Sequence, residues 1–148
     1  MRKQNPLSIL LAEDDDTARD ILVSVLAVKF PGIALHTADN GRTAFDCFRK
    51  YSPPIIITDV NMPVMDGIRM AREIKSIDAG VKFIVLTAFS DKTILDGAAM
   101  TGIEFDHYIM KPTDYNRLFV AVEDCIARIA PDYALTAFQR NDEVHPRT

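Results

Sequence analysis

The feature that most constrains this chain is its regular alternation of short apolar runs with segments of helical period. The apolar runs fall at 8–12, 33–38, 55–58, 82–86 and 104–110. Between them, apolar residues recur every three or four positions. In 17–30 they are Ala18, Ile21, Leu22, Val25 and Leu26; in 114–130 they are Leu118, Val122, Cys125, Ile126 and Ile129. The stretches 42–51, 68–77 and 92–101 show the same spacing over a shorter length. A strand followed by a helix, five times over with short links, predicts a parallel sheet covered by helices on both faces.

The runs differ in polarity, and that difference predicts their order. SILLA, PIIIT and KFIVL are nearly continuous apolar stretches, as strands buried on both faces require. IALHTA and EFDHYIM are mixed and suit the edges. Five strands with the second and fifth outermost give the order 2-1-3-4-5. This is an α/β fold, the flavodoxin-like doubly wound five-stranded parallel sheet. Pro131 ends the last helical stretch, and 131–148 loses periodicity. The expected division is one domain over 6–130 and a tail or linker over 131–148.

Composition narrows the class. The 148 residues suffice for one core, and 48% hydrophobic with 26% charged residues is ordinary for a globular domain. A net charge of −4 without a basic stripe argues against direct nucleic-acid binding. Cys47 and Cys125 lie in helical segments without CxxC spacing or a histidine metal pattern, so they read as apolar side chains in a reducing compartment. Met1-Arg2-Lys3 resembles the start of an export signal, but LSILLA is too short and is stopped by EDDD. No run approaches the roughly 20 apolar residues of a membrane span. The expected location is the cytoplasm, with no membrane partner.

The polar residues that follow the apolar runs point to chemistry. Ligands of such sheets bind beyond the carboxyl ends of the strands, where the chain order reverses. Here the first strand runs into Glu13 and Asp14, the third into Asp59, the fourth into Thr87 and the fifth into Lys111. Three carboxylates gathered at one rim repel one another unless a cation lies among them. Magnesium suits that donor set, taking one or two carboxylates, waters and a phosphate oxygen at about 2.0–2.1 Å. Lys111 offers a compact positive charge for a phosphoryl oxygen, and Thr87 a hydroxyl donor. Asp59 is then a nucleophile able to accept a phosphoryl group. In ITDVNMPVMDG, Pro63 and the Asp66-Gly67 pair supply the turn that follows it.

With ILLAEDD at 9–15, IIITDVNMPVMDG at 55–67, VLTA at 85–88 and YIMKP at 108–112, the chain resembles the receiver domain of a two-component response regulator, of the chemotaxis type. Each piece alone is weak; four in register are specific, and the resemblance covers about 6–130. The resemblance implies that Glu13, Asp14 and Asp59 hold magnesium together with the backbone carbonyl of Asn61. It implies that Asp59 is the phosphoacceptor, that Thr87 and Lys111 contact the phosphoryl group, and that Thr87 and Tyr108 form the switch. It also implies a cis Lys111–Pro112 bond. The implied partner is a sensor histidine kinase or phosphotransfer protein. The implied readout surface is the fourth helix, fifth strand and fifth helix. The implied catalysis is limited to the domain's own phosphorylation and dephosphorylation. The chain ends 18 residues beyond Ala130. Both a stand-alone receiver and one whose output domain is missing stay open.

Other readings compete. Glu13-Asp14-Asp15-Asp16 is also a solvated acidic run suited to a helix N-terminus, with Asp15, Asp16 or Thr17 as the cap. A lone threonine at a strand end, or a lone tyrosine on an edge strand, usually does nothing more. His36, His107 and His145 read as exposed or locally bonded. Phe89 offers a bulky ring able to shield an acyl phosphate. Magnesium-dependent aspartyl phosphatases share the strand-end nucleophile but carry a second aspartate two residues on. Asn61 stands there and cannot transfer a proton. A binding module without phosphorylation on the same scaffold is the third alternative.

Overall fold

The computed structural model describes residues 7–132. Five strands, β1 (Ser8–Ala12), β2 (Ala34–Ala38), β3 (Ile55–Asp59), β4 (Lys82–Thr87) and β5 (His107–Met110), form one sheet in the order β2-β1-β3-β4-β5. Every neighbouring pair is parallel. Five helices connect or follow them: α1 (Asp16–Lys29), α2 (Gly41–Tyr51), α3 (Gly67–Ile77), α4 (Lys92–Met100) and α5 (Tyr115–Ile129). The fold class and strand order are those expected from the polarity ranking. Of the 131–148 tail, residues 133–148 lie outside the described residues, as does His145.

The continuous apolar runs hide a period of two. Ile9, Leu11, Ile55, Ile57, Ile84 and Leu86 pack with Leu22, Leu26, Leu118, Val122 and Ile126 of α1 and α5. Leu10, Ala12, Ile56, Phe83 and Val85 face the other layer, with Phe45, Phe48, Met70 and Ile74 of α2 and α3. Both faces of β1, β3 and β4 are therefore apolar, which holds the three strands in the middle of the molecule. β2 and β5 keep exposed positions and lie at the edges.

Asx side chains start four of the helices. Asp15, Asn40, Asp66 and Asp114 each accept the N–H three residues on, at 2.8–3.2 Å. Asp15 is thus the cap among the three residues considered for α1. Before α4 there is instead a single 3-10 turn, Phe89–Asp91, which the sequence pattern did not suggest. β5 begins at His107, three residues later than expected. Asp106 explains the delay. Its N–H donates to the Phe83 carbonyl at 2.9 Å, and its carboxylate accepts the Phe83 N–H at 2.8 Å. A side chain thereby takes a donor that a longer strand would have paired.

Two glycines fit the β3–α3 loop to the sheet. A Cβ on Gly67 would drive into the Asp59 carbonyl, and one on Gly41 into the Met65 carbonyl, which accepts the Gly41 N–H at 2.8 Å. Between them Val64 has φ 69°, with the Met65 N–H donating to the Pro63 carbonyl across it at 2.7 Å. A β-branched residue in that region is strained. We expect Gly67→Ala to destabilise the protein by about 1–3 kcal/mol through forced displacement of backbone. Val64→Asn should stabilise it by about 1 kcal/mol, since asparagine tolerates positive φ. Urea midpoints moving in opposite directions check both.

Candidate functional site

The rim beyond β1, β3, β4 and β5 holds the polar residues. Glu13 directly follows β1, and its N–H continues the pairing by donating to the Ala38 carbonyl at 3.0 Å. Asp59 is the last residue of β3. Lys111 follows β5, with its N–H on the Thr87 carbonyl at 2.8 Å. Backbone pairing thus fixes three functional positions to the ends of rigid strands. Glu13 and Asp59 are buried and Asp14 is exposed. One carboxylate oxygen from each lies within 4.8 Å of the others. The Lys111 ammonium pairs with Asp59 Oδ1 and lies 4.0 Å from Glu13 Oε1.

Burial pushes the Glu13 carboxyl up to about 7; the nearby Asp59 carboxylate adds to the rise, while the Asp15 N–H bond and Lys111 oppose it. For Lys111 burial works downward, but the bond to Asp59 and the charges of Asp59, Glu13 and Asp91 outweigh it and raise its pKa. One ammonium therefore stands against three carboxylates. This all-oxygen donor set, held close and short of positive charge, fits a hard divalent cation.

Thr87 and Asn61 join the site through a residue that sequence reasoning missed. Asp91 ends the 3-10 turn and is buried. Its Oδ1 accepts from Asn61 Nδ2 at 2.7 Å, and its Oδ2 from the Ala88 N–H at 2.8 Å and the Thr87 hydroxyl at 3.4 Å. The only hint in the sequence is an aspartate immediately before a helical segment, which reads as an ordinary cap.

Tyr108 stands apart from the acids. It is 47% exposed, with its hydroxyl accepting the Phe105 N–H at 3.2 Å and its ring edge-on to Phe105. It shares a cleft of about 280 Å³ with Thr87, Phe89, Leu95 and Met110. Phe89 is 83% exposed in this state, so little of its ring packs on anything.

Among the described residues, His36, His107 and Cys125 have local partners. His36 stacks on Tyr51 at 4.4 Å. His107 Nε2 bonds Asp124 Oδ2 at 2.7 Å, and Cys125 lies close to both. The spacing of the cysteines did not reveal this neighbour, because β5 and α5 come together only in the fold. Arg128 Nε takes the same Asp124 oxygen at 3.1 Å, and burial pushes the Cys125 thiol up to about 12. The cluster is a polar strut between β5 and α5.

Residues 9–123 match the family described as the response regulator receiver domain. The chain belongs to this family. It is 34% identical over 115 residues to the regulatory protein AtoC of Escherichia coli, covering 78% of this chain and 24% of AtoC. To the chemotaxis protein CheY of Halobacterium salinarum it is 30% identical over 118 residues, covering 80% of this chain and 95% of that one. The chain thus spans about a quarter of AtoC but nearly all of CheY. The N-terminal domain of a Wolinella succinogenes protein superposes with a TM-score of 0.75 at 31% identity, covering 85% of this chain and 98% of that one. A two-component transcriptional regulator from Clostridium phytofermentans gives 0.73 at 28%, covering 87% and 98%.

As a receiver domain of the two-component type, the molecule brings together Glu13, Asp14, Asp59 and Lys111 directly. Thr87 and Asn61 attach through Asp91, and Tyr108 remains outside. The Lys111–Pro112 bond is cis. Among the described residues no helix is long and apolar enough to cross a membrane.

The Glu13 shift has a consequence for stability. In the fold this carboxyl stays neutral up to about pH 7, whereas its ordinary value is 4.5. The stability gained from the neutral form is present below pH 4.5 and is lost as pH rises to about 7. In metal-free protein, the urea midpoint of Glu13→Gln should therefore gain on that of the wild type across this interval and level off above it.

Proposed function

We propose that this receiver domain, spanning 6–130, takes a phosphoryl group onto Asp59 from the phosphohistidine of a sensor kinase or phosphotransfer protein in the cytoplasm. The observation that carries the reading is the Asp59 carboxylate at the end of β3, within reach of Glu13 and Asp14 and paired with the Lys111 ammonium. In the transfer, the phosphorus–nitrogen bond of the donor breaks as an Asp59 oxygen–phosphorus bond forms. The imidazole leaves with its electron pair and takes a proton.

Glu13, Asp14, Asp59 and the Asn61 carbonyl are the residues that would hold magnesium. When bound, the ion supplies charge neutralisation for the carboxylates and the incoming phosphoryl oxygens. Lys111 gives up part of its hold on Asp59 to a phosphoryl oxygen, and the Thr87 hydroxyl donates to another. As Thr87 turns inward, the cleft it shares with Tyr108 changes shape, and Tyr108 rotates into it. The surface formed by α4, β5 and α5 then differs between the two states. The domain catalyses only its own phosphorylation and dephosphorylation. What the altered surface contacts, an output domain of a longer protein or a separate protein, follows from whichever is present.

Incubation with acetyl phosphate and magnesium, read by intact mass, tests this. One added phosphoryl group that is lost in Asp59→Asn is the expected outcome. Lys111→Ala should slow the addition about 10- to 100-fold, the worth of one charge-assisted hydrogen bond. Sustained phosphate release from small esters would instead make the protein a phosphatase. An unchanged mass would leave a binding module.

A further inference from the structure

Asp91 does more than close a turn. Its bond to the Ala88 N–H is local, and its own N–H returns to the Ala88 carbonyl at 3.0 Å. A turn needs nothing further. Yet the other oxygen reaches 30 residues back to Asn61, at 2.7 Å. Asn61 lies two residues beyond Asp59, in the loop that Gly67 and Gly41 press into place. Asp91 thus ties the segment after Asp59 to the end of β4.

Its charge is also unusual. Asp91 is 3% exposed, and among the described residues no lysine or arginine forms an ion pair with it. It is the third carboxylate, after Asp59 and Glu13, whose charge acts on Lys111. The Thr87 hydroxyl, itself buried, has only long partners: the Ala88 carbonyl at 3.2 Å and Asp91 Oδ2 at 3.4 Å. Bonds between oxygens usually lie at about 2.5–3.0 Å. The hydroxyl is therefore held weakly, and it makes no bond to Asp59.

We propose that Asp91 is a positioning residue that holds the resting arrangement of the rim, and that the phosphoryl group on Asp59 must take Thr87 from it. This rests on Asp59 being the phosphoacceptor. A phosphoryl oxygen offers the hydroxyl a shorter, charge-assisted bond than Asp91 does. The Asp91 charge meanwhile opposes the arrival of more negative charge. Both effects act in the same direction: Asp91 keeps the unphosphorylated state populated.

The experiment is a titration of the magnesium-loaded protein with beryllofluoride, a phosphoryl mimic, followed by the amide resonances of Thr87, Ala88 and Tyr108. In Asp91→Asn an oxygen remains for the Ala88 N–H, the charged acceptor of the Thr87 hydroxyl becomes a neutral and weaker one, and the Asn61 amide can flip to accept from the new side chain. The midpoint should fall about five-fold, the size of one weak hydrogen bond. Asp91→Ser, which keeps a cap oxygen but cannot reach Asn61, should fall in the same direction. In a Thr87→Val background the effect of Asp91→Asn should shrink to the part that the Asp91 charge alone carries, which a purely structural role would not produce.

An unchanged or raised midpoint in both folded variants overturns the inference. So does an equal effect with and without the Thr87 hydroxyl, or loss of folding in both variants. If wild-type protein neither binds beryllofluoride nor gains mass from acetyl phosphate, the receiver chemistry itself fails and the inference falls with it.

Discussion

Everything at this rim depends on carboxylates held together by the ends of buried strands. Glu13 and Asp59 cannot move apart, because each is fixed by the pairing of β1 or β3 with its neighbours. Packing on both faces of those strands supplies the energy that holds like charges in place. Lys111 answers only part of the repulsion, and Glu13, pushed up first by its burial and further by Asp59, resists ionisation. The site is therefore destabilised in the direction that a cation or a cationic partner relieves. A fold whose middle strands were less apolar could not maintain such a cluster.

The helices are not equally committed to that core. α5 buries Leu118, Ala121, Val122, Cys125 and Ile126, and α3 buries five residues as well. α4 buries only Ala98, and it begins after a turn clamped by one aspartate. Few buried apolar groups mean that opening there is less costly than elsewhere. The acids thus stand on the rigid part of the molecule, while α4, which follows the buried Thr87 and Asp91, has the fewest buried groups. In the proposed function, this separation lets a charge change at Asp59 be read on a distant face without disturbing the residues that receive it.

Much of this was legible in the sequence. The continuous runs at β1, β3 and β4, and the mixed ones at the edges, carry the strand order. Acids directly after such runs locate the rim without coordinates. Three features were not legible, for one physical reason. The late start of β5, the Asp91 clamp and the approach of His107 to Cys125 each depend on a side chain meeting a partner far along the chain. Asp106 takes the N–H of Phe83, 23 residues away, and Asp91 takes the amide of Asn61. Periodicity reports which face a residue lies on, not which polar group it finds there. An aspartate before a helix has the same local signature whether it caps one turn or joins two loops.

For the switch proposed above, the orientation of Tyr108 gives a reason why so small a device would suffice. In the resting state its hydroxyl holds the Phe105 N–H, and its ring pairs edge-on with Phe105. Leaving those partners costs about 1 kcal/mol for the hydrogen bond and a similar amount for the ring pair. Rotation into the cleft would bury most of the 47% of its surface now exposed. For a side chain of roughly 200 Å², that is worth about 2 kcal/mol. The two orientations come out nearly balanced, so neither is locked by packing alone. A tilt of one or two kcal/mol, the scale of a single charge-assisted hydrogen bond to Thr87, is then enough to exchange the major and minor populations.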